Sequence, residues 1–488
     1  MCNTNLPIAD CPLHTKHLNV HSFLPKVVNS FFSVVNLRVN ERIMKSHLHY
    51  IFPVIAFAFL EFNACEDEES ATNEPAFDKV EQADTLNARR NSASPVGVQP
   101  KPRSKSNGKT GNIVFQQAAQ NTRVSHAIRE ENQRRLKILN APISFRTESG
   151  RALDKHQFYL SAQVQAPLSP HGDPLSATCV QIEGNYAFVS WHWNRGKSDY
   201  YGALEIYNLS DPEVPKLQSS LTASNIDFNH LYADIDDRGN GKVYAVGSEN
   251  AQAGELTSPA YFGEFPVKNC RFQNEVTGRE DLKSYSGNCV IKHSGDLYAV
   301  SGHSKGALTK LNLKTGKVDN VFQSDGLKYL AANDKFIITL KQGRPQSQLA
   351  VYNSKNPDFK KPLRTISVGE ITPRNGKNTV YIDGEFAYIS TGKLGMKVYD
   401  LLTSSATPFY TYNTLLPGAA NGVAADEEYI YIANGSSGLH VLHKKGLLLA
   451  GNFSSNGSAN FVTANNNYVI VANGKGGLTI LRKEKKNA

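Results

Sequence analysis

Towards the end of the chain, apolar and polar positions fall into one pattern written twice. Ala420 to Leu442 reads ANGVAADEEYIYIANGSSGLHVL and Ala459 to Leu481 reads ANFVTANNNYVIVANGKGGLTIL, the two copies lying 39 residues apart. Each copy holds three short apolar or alternating runs parted by turn residues, as strands of a small antiparallel sheet require. A unit of about 40 residues made only of strands predicts a β-propeller blade.

Read backwards from the tail, the unit recurs. Asn378 to Asp400 (NTVYIDGEFAYISTGKLGMKVYD), Asn288 to Leu313 (NCVIKHSGDLYAVSGHSKGALTKLNL) and Thr178 to Leu209 (TCVQIEGNYAFVSWHWNRGKSDYYGALEIYNL) are clear copies. His230 to about Val267, with a long insertion, and Lys328 to Tyr352 are divergent ones, which makes seven starts. In each, an inner strand leads through turn residues such as Gly184-Asn185 or Asn465-Asn466-Asn467 to a second strand with a β-branched or aromatic face. A Gly-rich connection then leads to a third, and the Gly before that strand relieves crowding.

The last copy stops at Leu481, one strand short, and an open ring would expose an edge. Residues near Gln157 to Ala166 (QFYLSAQVQA) are therefore expected to supply the outer strand of the final blade. The predicted fold class is all-β: a seven-bladed β-propeller over residues 142–488, closed by an N-terminal strand.

The first blade continues as ALEIYNLSDPEVPKL, residues 203 to 217, with Ser210, Asp211, Pro212 and Pro215 in its turn. This resembles the LVIVD repeat, whose third strand ends in an apolar-Asp-apolar-Ser-Asp-Pro-x-x-Pro turn; Asn208 stands where Asp is usual. The resemblance covers about 174 to 488 and implies a propeller, of a kind common in secreted and surface proteins. It implies no single activity.

The segment before the propeller reads differently. Residues 1–43 are basic and irregular, and Met44-Lys45 resembles a fresh start. The apolar run Ile51 to Leu60 is too short for a membrane-spanning helix but suits a signal-peptide core. Ala64-Cys65 behind it resembles a bacterial lipoprotein signal, which implies removal of residues 1–64 and lipidation of Cys65; Glu61, Phe62 and Asn63 depart from the usual pattern. The acidic stretch Glu66 to Glu69 resembles an export signal of surface lipoproteins in Gram-negative bacteria. Residues 65–112 have the composition of a disordered tether. Across 113–141, Phe115, Ala118, Ala119, Val124, Ile128, Leu136 and Leu139 recur at helical spacing, which predicts a short helix ended by Pro142.

Composition and charge add little. A net charge of +9 accompanies no RNA-binding motif, so a solvated basic surface is expected rather than a nucleic-acid partner. None of the six Cys falls in metal-ligand spacing, and no metal or cofactor is expected. Cys270 and Cys289 lie in adjacent blades and are a candidate disulfide outside the cytoplasm. Asp234 to Gly241 hints at a calcium loop, but Arg238 stands where an oxygen ligand belongs and no Glu completes it, so it reads as a hairpin turn.

Candidate binding residues come from loops that share one propeller face. Trp191, His192, Trp193, Arg195 and Tyr201 lie around the first of these, and His303, Lys305, Arg344, Lys393 and Lys475 in others. Aromatic faces beside cations suit sugars, anionic glycans or peptides, although alternating Trp residues also suit packing between blades. Asn229, Asn288, Asn378, Asn421 and Asn460 precede the inner strand in five copies, with Thr178 and Lys328 in the other two. They form either a polar collar at the channel mouth or a set of turn caps.

No local catalytic motif occurs. Three functions follow: a monomeric, lipid-anchored outer-membrane or cell-surface module binding a glycan or envelope protein; a hydrolase or lyase acting on an extracellular polymer through His192, His303, Glu249 and Glu255; or a structural subunit of an envelope complex.

Overall fold

The computed structural model describes residues 113–116, 134–145, 156–194, 199–249, 259–273, 275–302, 304–315, 317–343, 345–371, 377–413 and 418–486. The signal segment, Cys65 and the tether lie outside these residues. Seven antiparallel sheets follow one another along the chain. Their first strands are Ser176–Glu183, Ile226–Ile235, Ser286–His293, Leu327–Ala332, Val380–Asp383, Gly422–Ala425 and Phe461–Ala464. Each touches the next, and the seventh touches the first, so the ring is closed. The seven-bladed propeller expected from the repeat is therefore the fold.

Turn chemistry sets each blade's first hairpin. In blades 4, 6 and 7 an Asx turn does this: Asn333, Asp426 and Asn465 each accept two backbone N–H bonds from residues two and three further on, at 2.8–3.0 Å. In blade 2, Asp236 Oδ1 accepts from the Arg238 and Asn240 N–H at 2.9 and 2.8 Å, which makes this loop a hairpin turn. The glycine before the third strand has a steric cause. Gly395 and Gly477 sit at φ +77° and +84°, and a Cβ on either would strike the outer-strand carbonyl of Tyr412 or Val164.

Closure is made by the expected segment. His156–Val164 pairs antiparallel with Leu478–Lys485, from His156 opposite Lys485 to Val164 opposite Leu478. Arg482 and Lys483, in what the sequence presents as a charged tail, thus continue the third strand. Arg482 stacks its guanidinium 4.0 Å from the Tyr159 ring, and Lys483 is ion-paired with the buried Asp426 of blade 6.

The helix expected over 113–141 is corrected at both ends. Ile113–Gln116 is a strand on the outer edge of blade 1, and Leu136–Ile143 is a fifth strand on blade 7. The thin apolar stripe is insufficient for a helix, whereas each open sheet edge offers a row of unpaired backbone groups. Leu136–Ile143 also carries an anchor at its start. Arg135 reaches blade 1, where Nη1 and Nη2 bond Glu205 Oε1 and Oε2 at 2.8 and 3.1 Å. Glu205 is wholly buried and also accepts from Tyr207 OH at 2.6 Å.

Blade 2 is the irregular one. Its third strand Ala260–Lys268 pairs with two short pieces, Arg271–Phe272 and Gly278–Asp281, in place of one fourth strand. Cys270, in the turn between Lys268 and Arg271, is free, as are Cys179 and Cys289, so the candidate Cys270–Cys289 disulfide does not form.

Candidate functional site at the channel mouth

The start of the inner strands carries a repeated irregularity. In blades 1 to 4 the pairing slips by one residue between Ala177 and Cys179, Phe228 and His230, Gly287 and Cys289, and Leu327 and Tyr329. The extra residues, Thr178, Asn229, Asn288 and Lys328, are β-bulges, left out of the ladder of their own sheet.

Three of these four fasten one blade to the next. Thr178 Oγ1 bonds the Phe228 carbonyl at 2.8 Å, Asn229 Nδ2 the Gly287 carbonyl at 3.3 Å, and Asn288 Nδ2 the Leu327 carbonyl at 2.9 Å. Each acceptor immediately precedes the next blade's bulge. Blade 6 repeats the device without a bulge, since Asn421 Nδ2 bonds the Ala459 carbonyl at 3.0 Å and Asn460 Oδ1 at 3.3 Å. Asn378 bonds within its own blade, to the Ser390 carbonyl at 3.2 Å, and Ser390 Oγ carries the link onward to Asn421 at 2.9 Å. These amides make a structural belt, because their donors are engaged by protein carbonyls.

The belt is interrupted at blade 4. Lys328 occupies the bulge position, is half-buried, and has no hydrogen-bond or ion-pair partner among the described residues. Across the channel from blades 1 and 2, Lys377 at the entry to blade 5 extends its Nζ to the carbonyls of Thr178 at 2.7 Å and Asn229 at 3.4 Å. Burial lowers the Lys328 ammonium to about 8. Burial, with the neighbouring Lys328 charge, lowers Lys377 to about 7; Asp227, Cys179 and Cys289 act in the opposite sense.

One residue deeper the channel is plugged. His230 lies with its Nε2 3.2 Å from Tyr329 OH and 3.7 Å from Cys289 Sγ, and its ring packs edge-on against Tyr329 and Phe461. Residues from blades 2, 3, 4 and 7 therefore meet on the axis. Burial, then the Lys377 charge, hold His230 down at about 3, so it is neutral at pH 7. Burial pushes Cys179 up to about 11, which leaves it an inert thiol.

The aromatic loop residues pack inward. Trp191 is fully buried with Arg135 5.9 Å above its ring, and Trp193 is 7% exposed with the His171 ring tilted against it at 5.3 Å. Neither ring offers a face to a ligand. Tyr201 is half-buried against the same core. His192 lies 3.8 Å from the buried Asp227, without a hydrogen bond at Nδ1. Glu249 is ion-paired with Arg279 and accepts from Asn225 at 3.2 Å. Arg195, Glu255, His303 and Arg344 lie outside the described residues. Lys305, Lys393 and Lys475 are exposed on the loops of this face. Among the described residues no group of three or more His, Cys, Asp or Glu is placed to hold a metal.

Sequence reading placed Lys328 among the collar positions but missed Lys377, which directly precedes Asn378. A cation replacing a repeated amide was the available signal.

Comparison with known proteins adds the repeat family. The LVIVD repeat matches residues 417–442 and 456–481, so the chain carries two LVIVD repeats in blades 6 and 7. No curated protein matches the chain in sequence. Among solved structures, the computationally designed Ika8 protein is similar at 10% identity and a TM-score of 0.41, covering 70% of this chain and 96% of that one. The WD40 repeats of RRP9 are similar at 12% identity and a TM-score of 0.46, covering 69% and 99%. The count of seven blades rests on the strand pairing and not on these likenesses.

Proposed function

We propose that this protein is a binding module, a propeller held at a Gram-negative cell surface by a lipid on Cys65, which engages a glycan or an envelope protein through its channel-mouth face. The observation that supports it is a half-buried Lys328, unpaired among the described residues, near Lys377 at the mouth of a plugged channel, with Lys305, Lys393 and Lys475 exposed on loops of the propeller. An uncompensated cation in a concave site is costly to the fold and suits a ligand that completes it. The buried Trp191 and Trp193 are left out of this reading. Hydrolysis is less favoured, because Glu249 is tied to Arg279 and His192 makes no hydrogen bond to Asp227.

A glycan array and an envelope-protein pull-down, run with wild type and with Lys305→Ala/Lys393→Ala/Lys475→Ala, test the face. Loss of signal in the triple variant is expected. Equal signal in both would place binding elsewhere on the propeller.

A further inference from the structure

The belt described above gives a standard for what each bulge position does when its role is only structural. Thr178, Asn229 and Asn288 all donate to the carbonyl that precedes the next blade's bulge. Lys328 stands at the same one-residue slip between Leu327 and Tyr329 that places Thr178, Asn229 and Asn288 in blades 1 to 3. The chain instead places an ammonium there, and a second ammonium, Lys377, enters from the start of blade 5.

From this geometry we infer that Lys328 and Lys377 form an oxyanion site at the channel mouth, which takes the carboxylate or phosphate group of an acidic ligand. The inference rests on the binding reading and specifies the chemistry recognised.

Four observations converge on it. Lys328 is without a partner among the described residues, whereas Lys377 is fixed by two carbonyls and so presents a positioned charge. Four of the five collar amides, those of Asn229, Asn288, Asn378 and Asn421, donate to carbonyls, which leaves the two ammoniums as the stronger recognition element at the mouth. The plug of His230, Tyr329, Cys289 and Phe461 closes the floor, which confines the site to a small group or the charged tip of a longer chain. Besides Lys328, the groups facing the Lys377 amine are Cys179, Cys289, His230 and Asp227; the thiols and the imidazole are neutral near pH 7, which leaves Asp227 as the one anion among them, and Lys328 is shifted by burial alone.

Proton linkage follows. Burial lowers both ammoniums, to about 8 and about 7, so an oxyanion that favours their charged forms binds with proton uptake. Affinity must therefore fall as pH rises through this range.

The experiment is calorimetric titration of the full chain with inorganic phosphate and, separately, with galacturonate, at pH 6.5 and pH 9. Wild type is expected to bind at least one probe at pH 6.5 and at least tenfold more weakly at pH 9. Lys328→Asn is expected to weaken binding at least tenfold while keeping or raising the melting temperature, since it restores a belt residue. Phosphate alone, galacturonate alone, or both identify the source of the oxyanion, and each supports the site. Binding of neither probe by wild type, or undiminished binding by Lys328→Asn, overturns it. Should that variant fail to fold, lysine NMR on wild type decides: saturating probe must raise the Lys328 and Lys377 titration midpoints by at least one pH unit, and unmoved midpoints overturn the site. A positive glycan array alongside failed titrations would remove this site and leave the binding module standing.

Discussion

Asn421 and Asn460 stand at the same place in consecutive blades and are bonded to each other, Nδ2 of the first lying 3.3 Å from Oδ1 of the second. The same Nδ2 also meets the Ala459 carbonyl at 3.0 Å. One residue of the repeat thus recognises its own next copy. Asn421→Ala removes a buried inter-blade donor, and a loss of about 1–2 kcal/mol is expected from urea unfolding. No change in the urea midpoint would mean that the belt contributes nothing net.

Arg135 and Glu205 tie the start of the outermost strand of blade 7 to blade 1. Arg135→Ala leaves Glu205, which is wholly buried, without its cation. An expected cost is about 3–5 kcal/mol, largely recovered in Arg135→Leu/Glu205→Leu. Differential scanning calorimetry of the two variants reads this, and equal destabilisation by both would show that packing rather than charge pairing is at stake.

Acid sensitivity follows from two buried imidazoles. Burial lowers His440 to about 4, while burial and the Lys377 charge lower His230 to about 3. Their folded-state values lie below the ordinary His value, so the unfolded chain takes up protons first as pH falls. The stability is complete above about pH 6.5 and is lost on descent towards pH 4 and 3. For His440 the loss is on the order of 3 kcal/mol. Its ring is held by Tyr412 OH at 2.9 Å and Asn434 Nδ2 at 3.2 Å. Stability measured between pH 7 and 4 should be flatter in His440→Gln, and an unchanged slope would refute the assignment.

Anchoring is tested away from the propeller. Cys65→Ser should abolish incorporation of an alkyne-palmitate label and release the protein from the membrane fraction. Retention of label in that variant would remove Cys65 as the lipid attachment point.

Closure can be tested by truncation. A chain beginning at residue 134 keeps both added strands of blade 7 and should remain monomeric. One beginning at residue 166 lacks His156–Val164, so Leu478–Lys485 becomes an open edge and the protein should aggregate. Size-exclusion chromatography separates these outcomes, and a monomeric shorter chain would argue that the tail edge protects itself.

The fold was legible where information is local. Three strands of each blade are contiguous, so YIYIA and YVIVA with their flanking turns announce themselves, and a missing fourth strand at Leu481 points to a donor near Gln157. The segment from Ile113 to Ile143 misled because its conformation is decided by distant sheet edges and not by its own spacing. The mouth was legible only as a list of Asn positions. That Lys377 spans the channel to Thr178, 199 residues away, has no local trace. Trp191 and Trp193 drew notice by rarity, yet alternation along Tyr186–Asn194 places both rings on the buried side of blade 1.

Joining the earliest ring strand to the latest has a consequence for biosynthesis. His156–Val164 emerges from the ribosome long before Leu478–Lys485 exists, and it must wait for that partner. Until residues 478–485 are made, the nascent chain holds an incomplete circle with two adhesive rims. Such a polypeptide is open to mispairing with other chains at those rims until it shuts.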